Sequence, residues 1–81
     1  MKLLANTVLF YRDNPVNYEI LLIKDTLVFK PFFYHLDSSF ACIFLSRLST
    51  GWQLQETVDS QIKKQIQEDL LSLQLNQLHK E

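Results

Sequence analysis

Glycine, proline and cysteine are scarce in this 81-residue chain, which holds one Gly, two Pro and one Cys. A lone Gly51 excludes the phosphate-cradling loops of P-loop and dinucleotide-binding folds, where several glycines let backbone amides approach oxygens. A lone Cys42 excludes an intramolecular disulfide. With only His35 and His79 beside it, no structural zinc spacing can be assembled. A basic surplus is also missing: the net charge is −1 and the pI about 6.1. Proteins that bind nucleic acid draw most of their affinity from neutralising phosphates, so the balance argues against that role. No run reaches the ~18 apolar residues of a membrane span. In the opening MKLLANTVLFYRDN, Asn6 and Thr7 interrupt the apolar run, and no small-residue cleavage site precedes Arg12 and Asp13. It reads as a strand and not a signal peptide, so the expected location is the cytoplasm.

What the chain has is apolar alternation. Hydrophobic residues make up 47% and aromatics 12%, enough for one globular domain over 1–81 with a Phe-rich core. Leu3 to Arg12 reads as a strand, and Asp13-Asn14-Pro15-Val16-Asn17 as a turn. Tyr18 to Lys24 follows as its hairpin partner, with a weaker break at Asp25-Thr26. Leu27 to Tyr34 is a third strand, an edge or kinked at Pro31, which has no N–H for a ladder bond. After a turn at Leu36-Asp37-Ser38-Ser39, Phe40 to Leu48 is the most apolar run and reads as a central strand. Trp52, Leu54 and Glu56 alternate with Gln53 and Gln55 as a short fifth strand.

From Thr57 the text becomes a polar helix, with Thr57 the expected N-cap and Asp59 in the first turn. Val58, Ile62, Ile66, Leu70 and Leu73 fall on one stripe at about 100° per residue. Leu71, Leu75 and Leu78 fall elsewhere, so the apolar face switches near Leu71. The expected architecture is α+β: a four- or five-stranded, mainly antiparallel β-meander over 1–56, then one C-terminal α-helix over 57–80 packed on one face.

No motif names a reaction. His35, Asp37, Ser38 and Ser39 resemble a base, an orienter and a hydroxyl, but triads gather from distant segments, and these four also make an ordinary Asx or Ser turn. Cys42 lies between Ala41 and Ile43, as a small buried hydrophobe would. Phe29, Phe32, Phe33 and Tyr34 around Lys30 suit either base stacking or packing. No catalytic, cofactor-binding or metal-binding residue is therefore assigned.

A sheet apolar on both faces has more surface than one helix can cover. The expected function is thus a small non-enzymatic protein-interaction module that self-associates as a homodimer or higher homo-oligomer, with a different partner protein as the variant of that reading. The surface expected to carry it comprises Phe32, Tyr34, Leu71, Leu75 and Leu78. One alternative is a small ligand-binding or enzymatic domain with a pocket near Tyr34, His35 and Asp37. Another is single-stranded nucleic-acid binding across the aromatic strand.

Overall fold

In a computed structural model that describes residues 1–32 and 42–75, the alternating segments form a five-stranded antiparallel meander in the order β1-β2-β3-β4-β5. The strands are β1 (Lys2–Tyr11), β2 (Asn14–Ile23), β3 (Thr26–Pro31), β4 (Ile43–Leu48) and β5 (Gly51–Leu54), and the helix α1 is Ser60–Ser72. This is the expected α+β arrangement, and each strand pairs with its sequence neighbour. Tyr34, His35, Asp37, Ser38, Ser39, Leu78 and His79 lie outside the described residues, as does any pocket built on the first three.

Three of the connections are two-residue hairpin turns, Arg12–Asp13, Lys24–Asp25 and Ser49–Thr50, and the first two have a positive φ at their first residue (61° at Arg12, 54° at Lys24). That sign matches the right-handed twist of the flanking strands. The first turn is much shorter than the Asp13–Asn17 segment expected from composition, because β2 already begins at Asn14. Pro15 is tolerated inside it for a geometric reason. It pairs with Phe10, whose backbone N–H and C=O are both bonded to Gln65, so this pair exchanges no ladder bonds. The missing N–H of Pro15 faces the other side, beyond the end of β3. Pro31 closes β3 opposite Tyr18, two positions past the last described β4 pair at Phe29.

Register fixes the two faces. Leu9, Tyr18, Ile20, Leu27, Phe29, Ile43, Leu45 and Trp52 point to one side and form a single cluster with Ile62, Ile66 and Leu70 of α1. The Arg47 guanidinium lies 5.8 Å from the Trp52 ring centre, so the indole is buried as part of the core with a cation over it.

The helix differs at both ends from the span expected. Its N-cap is Asp59, whose carboxylate accepts from the Gln61 amide at 2.8 Å; Asp is at least as good a cap as Thr57. The start at Asp59 leaves Val58 outside the helix, packed against the core. At the far end α1 stops at Ser72. The Gln74 amide bonds the Leu71 carbonyl and the Leu75 amide the Leu70 carbonyl, while Gln74 has φ 60°. This is a Schellman closure with a left-handed residue after the cap. It explains the apparent switch of apolar face: Leu75 is not helical but folds back with Leu73 against the core.

Candidate functional site

The helix covers one side of the sheet only. On the other, register aligns Leu3, Leu21, Val28 and Phe44 in one row across β1 to β4. Leu21 and Val28, in the middle of that row, are buried yet belong to no part of the helix-side cluster. Other apolar residues on this side are open to water. Leu3 is 52%, Phe10 49%, Val8 40%, Phe44 40% and Ile23 39% exposed. Phe32, just past β3 and tied to β2 by its amide on the Asn17 carbonyl, is 49% exposed.

Leu3 reaches this face through a β-bulge. The pairing runs Leu3 with Leu21 and then Ala5 with Ile20, leaving Leu4 as the extra residue. The bulge reverses the parity of the strand's first residues, so Leu3 joins the face of Val8 and Phe10 while Leu4 packs toward the core. Next to the apolar row, Glu19 of β2 and Lys30 of β3 are directly opposite each other. Both are half-buried, and among the described residues neither is held in an ion pair. Among the described residues they are the only charged strand residues on this side, since Lys2 and Arg47 alternate to the other. Toward β5 the face turns polar, with Ser46, Gln53 and Gln55; the Gln55 amide donates to the Ser46 hydroxyl at 2.8 Å.

The outer edge of β1 is partly closed. The Gln65 side chain accepts from the Phe10 N–H at 2.7 Å and donates to the Phe10 carbonyl at 2.9 Å, as a neighbouring strand would. One helical turn later, the Asp69 carboxylate accepts from the Thr7 hydroxyl at about 3 Å. Burial is the main influence on that carboxyl and raises its pKa. The Thr7 bond opposes the rise, and Glu68 adds to it.

A small cleft of about 220 Å³ lies where the N-terminal end of β4 meets the start of α1, between Tyr11, Cys42, Val58, Asp59 and Ile62. Ligand pockets are usually larger, from about 300 Å³. Beside it the Tyr11 and Tyr18 hydroxyls are 2.6 Å apart and the rings are stacked. Burial foremost, then the bond to Tyr11, pushes the Tyr18 phenol far above its ordinary range. Cys42 is half-buried at this cleft, more exposed than a core residue. Among the described residues no group of three or more His, Cys, Asp or Glu could hold a metal ion, and no helix is long and apolar enough to cross a membrane.

The residues expected to form the interaction surface are dispersed. Phe32 stands at the rim of the uncovered sheet face, and Leu71 is 56% exposed on α1. Leu75 is turned against the core by the helix closure. Leu3, Val8, Phe10 and Phe44, which make up the face itself, are absent from that expectation. Their signal in the sequence is the second register of the alternation, but alternation alone does not say which register the helix covers. No protein-family model matches this chain, and neither a curated protein nor a solved structure matches it.

Proposed function

We propose that the chain is a self-associating, non-enzymatic protein-interaction module and that the uncovered sheet face is its contact surface. The observation that carries the reading is the row Leu3, Leu21, Val28 and Phe44, with exposed Ile23 beside it and Val8, Phe10 and Phe32 beyond the polar row Asn6, Glu19 and Lys30, on a side that no element of the described structure covers. Exposed apolar side chains grouped on one face often mark contact sites. The polar strip at β5 supplies a rim of the sort that surrounds interface cores.

Sedimentation velocity on the full chain at micromolar concentration tests this. The expected species is heavier than the 9.6 kDa protomer, and the double variant Phe10→Ser/Phe44→Ser should sediment as a protomer with its far-ultraviolet circular dichroism unchanged. A wild type that is monomeric at tens of micromolar overturns the reading.

A further inference from the structure

We infer that the partner on the open face is a second copy of the chain, stacked face to face about a two-fold axis that runs along the strands between β2 and β3. The inference rests on reading that face as a self-association surface and adds its geometry. Such an axis lies between the two sheets. It places β2 over the partner's β3, β3 over the partner's β2, and β1 over the partner's β4.

Two independent features of the face have their centre at that line. The first is the apolar row. It runs Leu3, Leu21, Val28, Phe44 across four strands, and its midpoint falls between Leu21 and Val28. Rotation about the axis sets Leu21 over Val28 of the second copy and Leu3 over its Phe44, apolar against apolar along the whole row. The second is the charge pair. Glu19 and Lys30 occupy one register position on either side of the same line. The rotation therefore carries Lys30 of one copy to the position facing Glu19 of the other, twice per dimer. An isologous interface must be complementary to itself, and one acid beside one base astride the axis meets that condition. Sheets stack about 10 Å apart, a gap that a Glu and a Lys side chain can bridge between them.

The remaining strand and the edge fit the same arrangement. With the axis between β2 and β3, the fifth strand overhangs the overlap, and β5 is where the face carries Gln53 and Gln55 instead of apolar residues. Pairing through the β1 edge competes poorly, because Gln65 occupies the backbone groups of Phe10 and the bulge interrupts the ladder at Leu4. Register sets the overlap: six positions each of β2 and β3 face the second copy, but in β1 only Lys2, Leu3 and Ala5 lie over its Leu45, Phe44 and Ile43, so the pair buries roughly 700 Å², the size of a weak, concentration-dependent contact.

Charge reversal in the full chain tests the axis. Glu19→Lys and Lys30→Glu should each weaken self-association at least tenfold by sedimentation equilibrium, with circular dichroism unchanged. An equimolar mixture of the two variants should re-form dimers, since each crossed pair again joins opposite charges, and so should the double variant Glu19→Lys/Lys30→Glu. If both single variants associate as tightly as wild type while Phe10→Ser/Phe44→Ser dissociates, the axis is wrong and the contact face stands. If the single variants dissociate but the mixture does not reassociate, the axis is also overturned. A monomeric wild type overturns both the axis and self-association, and leaves the face to a partner of different sequence.

Discussion

Tyr18 shows how one side chain couples the core to pH. Its ring is fully buried among Leu9, Ile20 and Phe29, and its hydroxyl is shared with Tyr11. Because burial holds the folded-state pKa well above the ordinary value of 10.0, the neutral phenol is favoured by the fold. The sign follows from linkage: stability is complete below the ordinary tyrosine range and is lost as pH rises through and beyond it. Thermal melts should therefore fall steeply above about pH 10, and Tyr18→Phe should flatten that decline. At neutral pH the same variant should lose about 1–2 kcal/mol by urea denaturation, since it removes one partner of a part-buried hydrogen bond. Asp69 has the same sign for a different reason. Its carboxyl is raised by burial, so the protonated form is the one the fold prefers, and its contribution declines as pH climbs above the ordinary carboxylate range. Asp69→Asn keeps an acceptor for the Thr7 hydroxyl and removes the charge. Its melting temperature at pH 7 should match or exceed wild type, with a weaker dependence on pH in the mildly acidic range.

Among the elements, the helix end carries the sharpest prediction. Gln74 holds a left-handed conformation, φ 60°, that strains a side chain with a Cβ. Gln74→Gly should raise unfolding stability by about 0.5–1 kcal/mol, measured in urea, because the closure favours Gly at that position. This end was not legible in the sequence, as no Gly marks it and the run 73–78 keeps helical spacing. The helical stripe Ile62, Ile66 and Leu70 was legible from its period of 3.6, while Val58 and Leu73, expected on the same stripe, pack against the core from just outside the helix. Among the strands, the order comes from the structure, whereas existence and antiparallel pairing could be read from alternation and turn residues. The start of β2 could not, since Asn14 and Pro15 have turn composition and are admitted to a strand only by the side-chain bonds of Gln65 to Phe10. That glutamine is 55 positions from its partner, a separation no local pattern reveals.

At the scale of the molecule, the self-association proposed for the open sheet face makes stability depend on concentration. A dimer that forms only from folded protomers gains stability by mass action. The midpoint of thermal unfolding should therefore rise with protein concentration from 1 to 100 µM for wild type, and stay level for Phe10→Ser/Phe44→Ser, when followed by scanning calorimetry. The excess of apolar surface over cover was visible in the sequence, but its place was not, because choosing between two apolar registers requires knowing where the helix docks. That docking is also the one long-range joint in the described fold: Thr7 meets Asp69 and Phe10 meets Gln65, while every strand meets its immediate neighbour. Neighbouring hairpins close on the order of microseconds, whereas the return of α1 to β1 must gather most of the chain first. The nascent meander thus passes through an interval with neither of its sides shielded, and during that interval the rate of helix return decides between native assembly and indiscriminate coalescence.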